Sequence, residues 1–261
     1  RTWLAMPSLD IDEIRSRHDI VEDFCRDRER LDNLQMRLGD IGDLDRILSR
    51  AATGKIQPRE ILQLGRGLSQ IGPIRDITLG SGQCCNALST LVGSIDDCSA
   101  LLEDIRRTIS PEAASAIGKG DVIASGVDAE LDRLRAISHG GKQYLLEMQQ
   151  RETERTGIPS LKISYNNVFG YYIEVRNTHR EKVPEDWIRK QTLVNAERYI
   201  TQELKDYEEQ ILSAEDKIYA LESSIYGALI AEIQKSIRTI QRNSMVIAKL
   251  DILVGFAELA L

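Results

Sequence analysis

Two runs of residues in this chain keep a heptad spacing, and the stretch between them does not. Val127, Leu131, Leu134, Ser138, Gly141, Leu145 and Met148 follow one another at intervals of 4, 3, 4, 3, 4 and 3. Leu204, Tyr207, Ile211, Ala214, Ile218, Leu221 and Ile225 do so at 3, 4, 3, 4, 3 and 4. A repeat averaging 3.5 residues keeps one stripe of a helix against a partner along its whole length, as in a left-handed coiled coil. Two such runs on either side of one insertion most simply form an antiparallel helical hairpin. Ser138 and Gly141 are small, so the first helix is expected to pack closely or unevenly there.

The insertion, residues 158–201, alternates with period two. Leu161-Lys162-Ile163-Ser164-Tyr165 and Tyr171-Tyr172-Ile173-Glu174-Val175-Arg176 read as strands. Asn166 to Gly170 joins them with residues that tolerate a turn and a positive φ, which predicts a β-hairpin. A third extended segment is expected around Gln191–Ala196, after a turn near Val183-Pro184-Glu185. A sheet this small needs Phe169, Trp187 and alternate tyrosines for its core. Base stacking on those rings is the alternative use for them.

Residues 1 to about 110 read as short helices. Asp10 with Glu13 three residues on has the form of a capping box, followed by Ile11, Ile14, His18 and Val21 at helical spacing. Asp40-Ile41-Gly42-Asp43 opens another helix, and Pro58 suits a first helical turn. Gly80-Ser81-Gly82 is a break. Leu88, Leu91, Val92, Ile95, Cys98, Leu101, Leu102 and Ile105 predict one long amphipathic run. Pro111, Gly118, Gly120 and Gly126 mark a connector over 110–127. The fold class expected is mainly α: a helical core and a long hairpin, residues 1–157 and 202–261, with a small sheet inserted at 158–201.

Aromatic residues make up 5% of the chain, thin for a β-sandwich and ample for helices packed with Leu, Ile and Ala. The net charge of −7 argues against a generally basic nucleic-acid surface. The distribution differs: residues 158–201 hold seven Lys and Arg against five Asp and Glu, a net +2 that leaves −9 on the rest. That local reversal suggests a polyanion contact at the insertion, with a solvated mixed-charge surface as the alternative. Asn166, Asn167, Gln191, Thr192 and Asn195 add polar groups able to bond phosphate oxygens. Cys25, Cys84, Cys85 and Cys98 lack zinc-site spacing and are expected to be reduced thiols in a cytoplasmic protein. No apolar stretch suggests a membrane span. Arg1-Thr2-Trp3-Leu4 reads as the start of a fragment. The carboxylates Glu203, Asp206, Glu208, Glu209, Glu215 and Asp216 spread around their helix as a solvated face does, and no nucleophile–base pair stands out.

The stretch Lys162 to Val175, with Ser164-Tyr165-Asn166-Asn167-Val168-Phe169-Gly170-Tyr171-Tyr172 at its centre, resembles a signature block of the MutS DNA mismatch-repair family. So does Arg189-Lys190-Gln191-Thr192-Leu193-Val194-Asn195-Ala196-Glu197-Arg198-Tyr199-Ile200-Thr201. Ile14 to Asp19, Ile41 to Arg46 and Gly126 to Arg135 are similar to that family's core and lever, in its order. The resemblance implies a β clamp that grips duplex DNA by its sugar-phosphate backbone, carried on a helical lever. Carried over by position, the expected contacts are Asn166, Lys190, Asn195 and Arg198, with Arg189 and Gln191 as neighbours. Val194 stands where some relatives have Lys. The chain has no G-x-x-x-x-G-K-[ST]; Gly54-Lys55-Ile56, Gly118-Lys119-Gly120 and Gly141-Lys142-Gln143 lack the Ser or Thr that holds Mg²⁺. The resemblance therefore implies an ATPase, with its ATP and Mg²⁺, beyond Leu261, and a mismatch-probing Phe-x-Glu module before Arg1. No cofactor is expected in this chain, which is not expected to be an enzyme by itself. The intact protein is expected to pair with a second MutS subunit near the nucleoid. The rival reading is a coiled-coil arm whose tip docks another protein and never touches DNA.

Overall fold

The computed structural model describes residues 2–80, 84–166, 168 and 170–261, apart from the side chains at positions 2, 4, 139, 141 and 142. Ser81 and Gly82 of the expected break, the packing at Gly141, and Asn167 and Phe169 of the expected turn lie outside what is described. The chain divides into two compact units, Arg1–Val127 with Ser224–Leu261, and Asp128–Ser223. The fold is mainly α with one small antiparallel sheet.

In the first unit, α1 (Thr2–Ala5), α2 (Ile11–Arg26), α3 (Arg28–Gly39) and α4 (Leu44–Ala52) precede the central helix α5 (Pro58–Leu79). Asp10 caps α2 by accepting the N–H groups of Asp12 and Glu13, and Asp43 caps α4 through Arg46 N–H at 3.0 Å. Pro58 occupies the first turn of α5, where a missing N–H costs nothing. Ile61, Leu64, Leu68, Ile71 and Ile74 of α5 are fully buried and form one stripe at helical spacing. Gly67 is required there, since a Cβ would lie 2.8 Å from the Ile41 carbonyl oxygen. Glu60, almost fully buried, accepts Gln57 N–H at 3.0 Å and pairs with Arg46 and Arg50 at 3.3 and 3.0 Å. Its charge is thus compensated on every side the structure shows.

The single amphipathic run expected over 88–105 is two helices, α6 (Asn86–Val92) and α7 (Ser99–Thr108). The interruption has a distant cause. Asn243, fully buried on the last helix, accepts Asp96 N–H at 3.1 Å and donates to Asp96 C=O at 2.6 Å. The loop wraps that carboxamide, and Cys98 is driven to φ +51°. Buried and beside Asp96 and Asp97, the Cys98 thiol is pushed up to about 11 and stays protonated at neutral pH. Asn243→Ala would strand both backbone groups of Asp96, so a loss of about 2–3 kcal/mol is expected in urea denaturation of the chain. A loss below about 0.5 kcal/mol would mean the loop holds its shape without Asn243. The connector expected over 110–127 is irregular apart from one bridge between Ile109 and Ile123.

In the second unit, α8 (Ala129–Thr156) leads into β1 (Lys162–Asn166), β2 (Gly170–Arg176), a 3-10 turn (Asn177–Lys182), β3 (Ile188–Thr192) and β4 (Ala196–Ile200). The last helix, α9 (Gln202–Ala260), then begins, and residues 202–223 of it belong to this unit. Asp128 caps α8 by accepting Leu131 N–H at 2.8 Å, and Gly157 ends it at φ +63°. Cross-links between the helices run in opposite senses: Arg135 to Glu222, Tyr144 to Tyr207, and Arg151 to Glu203. The hairpin is therefore antiparallel, as the heptads predict. A groove of about 590 Å³ lies along the hairpin beside Ala136, Ile137, Gly140 and Tyr207.

The sheet has four strands in the order β1-β2-β4-β3, all antiparallel. The third extended segment expected at 191–196 is corrected: it straddles the end of β3 and a tight turn, after which a fourth strand, β4, inserts between β2 and β3. Leu193 N–H donates to Ala196 C=O at 2.8 Å to close that turn. The core beneath the sheet is Met148, Ile158, Leu161, Ile173, Val175, Trp187, Tyr199 and Leu204. Trp187 is in it, as the sequence predicts.

Candidate nucleic-acid interface

Residues opposite one another in an antiparallel pair share a face, so the register sorts the candidate residues. Lys162 faces Glu174, Glu174 faces Arg198, and Arg198 faces Gln191. These four side chains form one row across all four strands, on the face away from Ile173 and Tyr199. Arg198 sits at its centre: Nε donates to Glu174 at 3.1 Å, Nη1 to the Gln191 carboxamide oxygen at 3.0 Å, and its guanidinium lies 4.3 Å from the Tyr172 ring. With its side chain 19% exposed, Arg198 is mainly a strut that fixes Gln191 and Glu174.

Arg189 is on the opposite face, paired across the ladder with Tyr199. The register skips between Arg189 and Gln191, which leaves Lys190 as the extra residue of a bulge. Lys190 is exposed and makes no ion pair among the described residues. β3 is an edge strand, and a bulge carrying a lysine is one way such an edge avoids pairing with another chain. The same features present a cation on a rigid support. Asn195 is exposed in the adjoining turn, whose carbonyls are held by one residue: Asn177 donates its side-chain N–H to Val194 C=O at 3.0 Å and its backbone N–H to Asn195 C=O at 3.2 Å.

Asn166 closes the other end. It is the last residue of β1, opposite Gly170, and its side-chain oxygen accepts Val168 N–H at 2.8 Å. Gly170 has φ +74°, a backbone conformation that favours glycine, and a Cβ there would oblige the Glu208 carboxylate to move aside. Asn166 and Asn195 lie at opposite ends of β2, about 20 Å apart at about 3.3 Å per residue. The six candidates thus fall into three groups: Lys190, Arg189 and Asn195 along the β3 edge, Gln191 with Arg198 on the outer row, and Asn166 alone.

Two residues that the candidate set omits complete the edge. Glu197, 3% exposed, accepts from Arg189 Nη1 at 3.2 Å, pairs with Arg180 Nε at 3.5 Å, and takes the Tyr199 hydroxyl hydrogen bond. That hydroxyl, then the two arginines, hold the Glu197 carboxyl below the usual carboxylate range. Burial and the Glu197 charge push Tyr199 up to about 12. A charge count of the insertion includes Arg180 and Glu197 but cannot show that they meet.

The two shifts set a pH window. A depressed Glu197 contributes stability that is present above 4.5 and lost as pH falls through its lowered value. A raised Tyr199 contributes stability that is present below 10 and lost as pH rises through about 12. Trp187 packs beside Tyr199, with ring centroids 5.9 Å apart, and reports on both. Thermal melts followed by tryptophan emission should show an acid limb that Glu197→Gln removes; an unchanged acid limb in that variant would assign the effect elsewhere.

Among the described residues no three His, Cys, Asp or Glu side chains gather as a metal site. No described helix is long and apolar enough to cross a membrane.

Residues 126–217, which run from just before α8 through the sheet into α9, match the family model described as MutS family domain IV. The whole chain is similar to three bacterial proteins named DNA mismatch repair protein MutS. Identity is 50% over 260 residues with that of Porphyromonas gingivalis, 50% with that of Flavobacterium johnsoniae and 48% with that of Parabacteroides distasonis. Each alignment covers 100% of this chain and 29%, 30% and 30% of the respective relative, so the chain spans about 30% of the length of the proteins it matches. The chain is thus similar along its entire length to about 30% of a MutS DNA mismatch-repair protein, and its residues 126–217 match that family's domain IV.

Proposed function

We propose that the sheet is a clamp that holds double-stranded DNA by its sugar-phosphate backbone, without reading sequence, and that α8 and α9 are the lever carrying it. The observation that supports this most is the β3 edge: Lys190 raised on a bulge and exposed, beside the Asn195 turn that Asn177 holds rigid. A fixed cation and fixed amide donors on an edge suit phosphate oxygens, which carry no base identity. Arg198 then acts mostly by positioning Gln191, and Asn166 offers its remaining amide donors at the far end of the sheet. In the longer protein the same lever would link DNA occupancy to an ATPase using ATP and Mg²⁺, with a second MutS subunit closing the ring around the duplex.

The direct test is binding of fluorescent paired and mispaired duplexes by the full chain. Lys190→Ala with Asn195→Ala is expected to weaken both duplexes by similar factors. A loss confined to the mispaired duplex would assign this edge to mismatch reading, and binding of neither duplex at low salt would favour a tip that docks protein. Coupling has its own test in the longer protein. Inserting a few residues into α8 would shift Arg135 off Glu222, and DNA-dependent control of ATP turnover should weaken.

A further inference from the structure

The buried Glu197 stands between two arginines from different elements. Arg180 comes from the 3-10 turn and Arg189 from β3, and both address the same oxygen, Oε1, at 3.5 and 3.2 Å. Their bonding nitrogens can therefore be no further apart than those two distances laid end to end. The guanidinium groups still face solvent, with side chains 61% and 50% exposed, while Glu197 is 4% exposed. Each arginine offers five N–H donors in a planar fork; Arg189 commits one to Glu197 in a hydrogen bond, and Arg180 meets the same oxygen as an ion pair. The carboxylate neutralises one of the two charges, which leaves a net +1 spread over two outward forks.

Holding two arginines in fixed positions ordinarily costs side-chain entropy at the moment of binding. Here Glu197 has already ordered them, and it is itself fixed by the Tyr199 hydroxyl and by its place in the ladder opposite Val175 and Thr192. Two forks converging from either side of one buried anchor match the tetrahedral oxygens of one phosphate group.

We infer that Arg180 and Arg189 form a cradle for a single backbone phosphate of duplex DNA, with Glu197 and Tyr199 as positioning residues that set the two forks. The inference rests on the clamp reading and adds Arg180, a residue outside the six candidates, to the contact surface.

The experiment is a salt titration of paired-duplex binding by the full chain and its variants. One neutralised phosphate contributes about 0.9 to the slope of log K against log salt. Arg180→Ala is expected to weaken binding about tenfold. The double variant Arg180→Ala, Arg189→Ala is expected to lose about 0.9 of slope in total. A loss near 1.8 would mean two separate phosphates and would overturn the cradle. Glu197→Gln gives the sharpest sign. It adds a positive charge to the tip, so plain electrostatics predicts tighter binding, whereas loss of the anchor predicts weaker binding; tighter binding overturns the inference. Tryptophan emission melts establish that each variant is folded, and Arg180→Lys, which keeps the charge and loses the fork, replaces Arg180→Ala if the latter unfolds. If Arg180 variants bind as the parent does while Lys190→Ala weakens binding, the cradle fails and the clamp stands. If Lys190→Ala also leaves binding unchanged, the clamp reading itself fails.

Discussion

Replacing Arg135 by methionine is expected to cost the α8–α9 hairpin about 3–5 kcal/mol, and replacing Glu222 by leucine in the same chain is expected to restore most of that. Arg135 Nη2 lies 2.5 Å from Glu222 Oε1, and the two side chains are 7% and 2% exposed. Asp132, one turn back on α8, stands 3.9 Å from the same guanidinium. Bringing both ions out of water is costly, and their attraction offsets that cost only while both are present. The single change takes the Arg135 cation away from the buried Glu222 carboxylate; the double change puts two apolar side chains of similar bulk in place of the ion pair. Urea denaturation followed by Trp187 emission in a Trp3→Phe background reads the unit that contains the pair. A single-variant loss within about 1 kcal/mol would show that water reaches Glu222 and that the pair is effectively a surface one. The pair also has a geometric use. It fixes which turn of α8 meets which turn of α9, a choice that apolar seam residues leave nearly degenerate.

Neither member of that pair is visible in the sequence as anything but surface. Arg135 follows Leu134 and Glu222 follows Leu221, each one step off the heptad seam, and a charge beside a seam residue ordinarily faces water. The heptads predict both helices and their antiparallel sense because apolar spacing is a property of each helix alone. Buried pairing depends on two helices at once. The sheet divides in the same way. β1 and β2 are legible through their alternation and their turn, whose Gly170 is favoured by its positive φ. β4 is not, because its buried positions include Glu197, a charge that only Arg180, Arg189 and Tyr199 make tolerable. The Leu193-Val194 pair reads as strand by propensity and is a turn, with Val194 92% exposed. The break between α6 and α7 depends on Asn243, 147 residues away along the chain. Family resemblance proposes the candidate contacts as a set but not their sorting onto two faces and two ends of the sheet. That sorting follows from register, and register from a bulge at Lys190 that nothing in Arg189-Lys190-Gln191 announces.

Raising the salt concentration fourfold, from about 50 to about 200 mM, is expected to weaken duplex binding by the full chain about 40-fold. Three places on the sheet carry a net positive charge once their own carboxylates are counted. These are Lys190, the Arg180–Arg189 pair against Glu197, and Lys162 with Arg198 against Glu174. Three neutralised phosphates give a slope of about −2.7 in log K against log salt. Lys190→Ala removes one, so the slope should fall to about −1.8 and the same change in salt should cost only about 12-fold. Matched and mismatched duplexes should give parallel lines, since none of the three places is arranged to read a base edge. The chain as a whole is acidic at −7, so a slope of this size requires that the contact be local and that the acidic body stay clear of the duplex. A slope near zero with tight binding would mean that the sheet holds its partner by apolar contact. Val194 and Val168, 92% and 78% exposed, would then be the residues to test, because among the described residues they are the large apolar side chains that the two turns present to solvent.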